Sequence, residues 1–118
     1  MNDQTSEKGL AGERQALAYL RQHGMCPVCQ RYRCPYGEID LVMLDGECLV
    51  FVEVKLRSRG RKNDGVLAVN FQKQQRLIRA ARCYLGEYPT EMPVRFDIVE
   101  ITSEGVFHLP NAFEGSEW

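Results

Sequence analysis

The 118-residue chain has the length of one domain, 1–118, and 44% of its residues are hydrophobic, enough to build a core. No apolar run approaches the ~18 residues a membrane span needs, and the first eight residues are too polar for a secretory signal. A cytoplasmic protein with no membrane partner is expected. The formal net charge of −1 conceals a strong asymmetry: residues 1–54 carry −3, residues 55–82 carry +8 and residues 83–118 carry −6. So concentrated a basic block suits a polyanion such as nucleic acid.

Thr5 or Ser6 can cap a first helix that runs to about residue 23 and stops at Gly24. Gly9 and Gly12, one turn apart, would allow another element to approach closely. Glu13 shares a face with Ala16, Leu17 and Leu20. An acid on that stripe is costly unless it is paired, binds a metal, or sits at the stripe's edge and reaches water.

Residues 25–34 read as a strand, and Pro27 places it at a sheet edge or makes its start irregular. Cys26-Pro-Val-Cys29 is a single CxxC with Cys34 close behind. There is no second CxxC and no paired histidine spacing at His23 or His108, so no structural zinc is expected. Five cysteines, an odd number, argue against a disulfide framework.

Two apolar strands follow, Gly37-Glu38-Ile39-Asp40 onward and Phe51-Val52-Glu53-Val54-Lys55, joined across Asp45-Gly46. Asp-Gly between apolar runs predicts a hairpin with a two-residue loop. Taken literally, that loop pairs Leu44 with Glu47, Val42 with Leu49, Asp40 with Phe51 and Glu38 with Glu53. Glu38, Asp40, Glu53 and Lys55 then share one face, and Ile39, Leu41, Met43, Val50, Val52 and Val54 take the other. Asp40 and Glu53 would lie diagonally, roughly 7–8 Å apart at the backbone. Charges on strands apolar on both faces are the unusual feature. One explanation is a structural ion-pair network, Glu53 with Lys55 and Asp40 with an arginine. The other is a site: two or three carboxylates hold Mg²⁺, the ion polarises a phosphoryl oxygen, and a lysine orients the attacking water or stabilises developing charge. Glu38 reads as a ligand or, better, as a supporting partner of Arg33 or Lys55.

Arg57, Arg59, Arg61 and Lys62 form a basic, glycine-punctuated loop just past Lys55, placed to contact phosphates. Asn70 can cap a helix over residues 71 to about 85, with Phe71, Gln74, Leu77, Ile78, Ala81 and Tyr84 on its buried stripe. Lys73 and Arg76, near the sheet end, are candidate nucleic-acid contacts; Arg79 and Arg82 read as an ordinary wet face. A strand follows over residues 93–101, in which Asp97 takes a structural role with Arg95 or another arginine. A turn at Ser103-Glu104-Gly105 and a short strand over residues 106–109 close the fold, and Trp118 ends an acidic tail. The order helix, three strands, helix, two strands predicts an α/β mixed β-sheet flanked by a helix on each face, with the third and fourth strands parallel through a crossover.

Asp40 with Glu53-Val54-Lys55 matches the D…(D/E)xK signature of the restriction-endonuclease-like nucleases, the PD-(D/E)xK superfamily. The fuller string, Gly37-Glu38-Ile39-Asp40-Leu41-Val42 with Val50-Phe51-Val52-Glu53-Val54-Lys55, resembles the YraN-like family of small bacterial proteins. That family is similar in pattern to archaeal Holliday junction resolvases. Gly9-x-x-Gly12-Glu13, Lys73, Arg95-Phe96-Asp97 and Asn111-Ala112-Phe113 extend the resemblance over nearly the whole chain. It implies a restriction-endonuclease-like core and a Mg²⁺- or Mn²⁺-dependent endonuclease acting on DNA, with branched or junction DNA as the analogous substrate. Asp40 and Glu53 would hold the metal, Glu13 would be a further ligand from the first helix, and Lys55 would act on the water. Cutting a symmetric junction would require a homodimer. The alternative is a non-catalytic module that uses the nuclease fold to bind nucleic acid or a protein partner.

Overall fold

The computed structural model describes residues 7–57 and 71–114, arranged as α1 (Glu7–Gln22), β1 (Cys26–Cys34), β2 (Gly37–Asp45), β3 (Cys48–Leu56), α2 (Phe71–Glu87), β4 (Val94–Thr102) and β5 (Gly105–Phe113). The predicted caps at Thr5, Ser6 and Asn70, the loop residues Arg59, Arg61 and Lys62, and Trp118 lie outside the described residues. The five strands form one sheet in the order β1-β2-β3-β4-β5, antiparallel except for the β3–β4 pair, which is parallel across α2. The mixed α/β architecture agrees with the sequence expectation, and β3, which carries Glu53 and Lys55, is the central strand. None of the described helices is long and apolar enough to cross a membrane.

The two helices cover opposite faces. Ala16 and Leu20 of α1 pack with Leu41, Met43, Val50, Val52, Val99 and Ile101. Ile78, Ala80, Ala81 and Tyr84 of α2 pack with Val42, Leu49, Phe51 and Phe96. Leu41 and Val42, Val50 and Phe51 thus send adjacent side chains to different cores, which is why these strands are apolar on both faces. Helix α1 ends where the sequence indicates. Gly24 has φ +93°, Gly24 N donates to Arg21 O at 3.0 Å and Met25 N to Leu20 O at 3.0 Å. This is a Schellman cap, and Met25 and Leu20 join the same cluster as its apolar contact. Gly12 lets α1 lie against β3: a Cβ there would stand 2.8 Å from Leu56 Cδ2.

Four expectations need correction. The hairpin loop is Gly46-Glu47, not Asp45-Gly46: Asp45 pairs with Cys48, Leu44 with Leu49 and Val42 with Phe51. Gly46 takes φ +62° at the first loop position, as a type II′ turn requires. Asp45 stays in the strand, where its carboxylate meets Arg95 at 3.0 Å. The slip amounts to two positions across the pair, so every side chain keeps its predicted face. Ile39 is the exception, packing with the α2-side cluster rather than with Leu41. Opposite this part of β2, β1 is irregular, with Arg31 at φ 55°. Finally, β5 is longer than predicted, running through Pro110 to Phe113, and Phe71 is exposed (70%). Burial in α2 begins at Leu77, so its first turn stands clear of the sheet.

Candidate active site

The β2–β3 register runs from the turn to Leu41 opposite Val52, and the next residue on each strand is Asp40 and Glu53. The two carboxylates are therefore level on neighbouring strands rather than diagonal. At this point Asp40 Oδ2 accepts the Val54 N–H at 2.7 Å, so the side chain takes a main-chain donor of β3. Asp40 Oδ1 makes no hydrogen bond among the described residues. Both carboxylates line a cavity of about 220 Å³ with Gly37, Glu38, Lys73 and Arg76. The sheet supplies its floor and the first two turns of α2 its wall.

Glu53 is 6% exposed, and its Oε2 lies 3.1 Å from Lys73 Nζ. Asp40 is half-buried and has no cationic partner among the described residues. Burial raises its pKa first, and the negative charges of Glu53, Glu13 and Glu38 push it further. The Val54 N–H opposes them, and the carboxyl settles at about 8. This is the behaviour of a buried acid with further acids, and too little positive charge, around it.

Of the other predicted residues, Glu38 lines the cavity and pairs with Arg33 at 3.0 Å, as its supporting reading requires. Lys55 is half-buried two residues beyond Glu53, and it makes neither ion pair nor hydrogen bond among the described residues. Lys73 and Arg76 border the cavity, whereas Arg57 is held through its backbone N–H to Ile101 O at 2.8 Å. Glu13 does not line the cavity; Arg31 holds it at 3.0 Å, an arginine 18 positions away that helix periodicity could not have named. Among the described residues no three His, Cys, Asp or Glu side chains converge as a ready-made metal cluster.

One residue of interest escaped the sequence reading. Glu100 of β4 is fully buried and stands in register beside Lys55. Phe51 and Phe96 mark the α2 side of this parallel pair, so alternation places Lys55 and Glu100 on that side with Glu53. The signal was available: Val99-Glu100-Ile101 sets an acid in an apolar strand just as Val52-Glu53-Val54 does.

The profile of "Uncharacterised protein family UPF0102" matches residues 12–101. A UPF0102 protein of Janthinobacterium sp. (strain Marseille) is 44% identical over 106 residues, covering 90% of this chain and 86% of its own. One from Legionella pneumophila subsp. pneumophila is 40% identical over 114 residues, covering 93% and 97%. Another, from Thermodesulfovibrio yellowstonii, is 38% identical over 107 residues, covering 91% and 96%. The profile match runs from α1 into β4 and includes both acid-bearing strands, and the chain belongs to the UPF0102 family.

Proposed function

We propose that the protein is a metal-dependent nuclease that hydrolyses phosphodiester bonds of DNA. The observation that carries this reading is the level pair Asp40 and Glu53, set in one cavity with Lys55 next along β3 and a cationic helix as the wall.

The residues present fit a hard divalent cation. Mg²⁺ typically uses one or two carboxylates, keeps several waters and takes further oxygens from substrate phosphates. Asp40 keeps one oxygen outside its bond to Val54, and Glu53 one outside its pair with Lys73. Burial first, and the neighbouring acids after it, raise the Asp40 pKa, and a bound cation would offset both by favouring the charged carboxylate. Glu13 would join the set only by leaving Arg31. When bound, Mg²⁺ or Mn²⁺ supplies Lewis acidity toward the phosphoryl oxygen and acidifies a water.

The chain's own residues do the rest. Lys55 places a charge near the attacked phosphorus, where it orients the water or stabilises the negative charge that builds on the phosphoryl oxygens. Lys73 and Arg76 hold the flanking phosphate from α2. Glu38, tied to Arg33, fixes the mouth of the cavity. Junction or branch preference remains an extension of this proposal drawn from the resolvase resemblance.

The test is a calorimetric and NMR titration with Mg²⁺ and Mn²⁺, wild type against Asp40→Asn, followed by cleavage assays on branched, flapped and single-stranded DNA. Shifts centred on Asp40, Glu53 and Lys55 that vanish in the variant are expected. Lys55→Ala should then cut at least ~100-fold more slowly with metal binding retained. No metal response, even with DNA present, would sink the nuclease reading in favour of a binding module.

A further inference from the structure

The cavity that holds Asp40 and Glu53 is the first of three adjoining depressions along α2. Arg76 lines it and also lines a second, of about 360 Å³, with Phe71, Gln72, Gln75 and Arg79. Arg79 in turn lines a third, of about 410 Å³, with Tyr36, Arg82 and Cys83. Each of the two outer depressions thus combines guanidinium groups with one exposed aromatic ring: Phe71 is 70% exposed and Tyr36 54%. The helix and the β1–β2 turn are in contact here, since a Cβ on Gly37 would stand 3.9 Å from Arg76 Cβ. Tyr36 is therefore held beside α2 by the packing of its neighbour.

From the nucleic-acid side of the reading above, we infer that this row is a track for single-stranded DNA leading into the Asp40–Glu53 cavity. Lys73, Arg76, Arg79 and Arg82 recur every third residue along α2, so neighbouring cations adjoin one another while the row winds about 60° per step, from the cavity at Lys73 round to the exposed face at Arg82. From Lys73 to Arg82 the helix rises about 14 Å, room for about four stacked nucleotides at roughly 3.4 Å each. Arginines take the phosphates; Tyr36 and Phe71 take the faces of bases. That combination of charged path and aromatic platforms grips single strands without regard to sequence. Paired bases are already stacked on one another inside a duplex and have no free face to offer. The outer depressions fall in the ~300–1,000 Å³ range of small-ligand pockets and suit one splayed base each. The substrate class so defined is a duplex with a single-stranded tail or flap, its tail on α2 and its phosphodiester at Asp40 and Glu53.

The test is fluorescence anisotropy with full-length Asp40→Asn protein, which prevents cleavage during the measurement, on a blunt duplex and the same duplex carrying a 12-nucleotide single-stranded tail. The tailed duplex should bind at least about five-fold tighter, the lower end of what one stacked base contributes. In that background Tyr36→Ala and Arg79→Glu should each remove most of the preference while leaving blunt-duplex affinity within about two-fold. Tyr36→Phe keeps the ring and should retain the preference. Equal affinity for blunt and tailed duplex would overturn the proposal, as would a tail preference untouched by Tyr36→Ala and Arg79→Glu. The nuclease reading fails separately. Cleavage by the wild type without tail preference would retain the nuclease and remove the track, and tail preference without cleavage or metal binding would do the reverse.

Discussion

Two aspartates of one sheet show what the fold does with an inward-facing acid. Asp97 of β4 is 1% exposed and fully answered. Arg95 donates to it twice, at 2.8 and 2.9 Å; His108 Nε2 lies 2.7 Å away and the Asn111 N–H 2.9 Å away. Burial alone would raise its pKa, but the hydrogen bonds from His108, Arg95 and Asn111 outweigh burial and hold the carboxyl below its ordinary value. Asp40 of β2 is less buried yet has one backbone donor and three acidic neighbours, and its carboxyl rises to about 8. The first arrangement is built to be finished by the chain itself. The second leaves more acid than the described residues answer, and the proposed cation would complete it.

The largest effect should come from breaking the finished site. Asp97→Ala leaves Arg95 with Asp45 alone, takes from His108 its carboxylate partner and removes the acceptor for Asn111 N–H. A loss of about 3–5 kcal/mol is expected, read as a lowered urea midpoint with unchanged slope. Asp40→Asn should cost little, because Asn still accepts from Val54, and should stabilise as pH rises toward about 8, where Asp40 ionises among its acidic neighbours. A large destabilisation by Asp40→Asn would show that Asp40 is structural after all.

The same contrast predicts opposite pH dependence. Asp97 titrates lower in the folded chain than in the unfolded one, so its contribution is present above the unfolded value near ~3.9 and is lost as pH falls through the folded value. Asp40 titrates higher when folded. Its contribution is complete below the unfolded value and disappears as pH rises toward about 8. Stability of wild type relative to Asp40→Asn should therefore decline steadily from about pH 4 to about 8. Adding Mg²⁺ should lower the Asp40 pKa and flatten that decline if the cation binds there.

How much of this contrast was legible follows from the kind of signal each residue carries. Alternation and turn chemistry placed Asp40, Glu53 and Lys55 on one face even though the loop was misplaced, because a two-position slip preserves parity. Glu38 was read with Arg33, five positions away, but the partners of Glu13 and Glu53 were not legible. Arg31 reaches Glu13 from 18 positions away, and Lys73 reaches Glu53 from 20, across the crossover. Such pairs are set by how elements pack, not by local pattern. Asp97 was read correctly with Arg95, two residues away on the same strand, but His108 and Asn111 came from a strand whose length was underestimated. The Phe71 expectation failed because helix periodicity identifies a stripe without saying where the sheet beneath it ends.

An intermediate effect concerns Lys73, the cation paired with Glu53 at the site. Its side chain is 38% exposed, so solvent weakens its pair with Glu53. Lys73→Met should therefore change stability by less than about 1 kcal/mol. Its consequence for ligands should be larger and of opposite sign for two probes. Mn²⁺ should bind the free protein more tightly once the ammonium no longer occupies Glu53, whereas DNA should bind more weakly for want of a phosphate contact.

The smallest effects should rank the acids around Asp40. Among its neighbours Glu53 contributes most to raising its pKa, Glu13 less and Glu38 least. An NMR titration of Asp40 should accordingly show the largest downward shift in Glu53→Gln and the smallest in Glu38→Gln. Arg33→Ala should move it slightly upward by unmasking Glu38, with a stability change within about 0.5 kcal/mol for so exposed a pair. If instead Glu53→Gln leaves Asp40 unmoved, burial and the remaining acids raise that carboxyl without Glu53. The two acids then do not share a charge problem, and the case for one cation between them loses its physical basis.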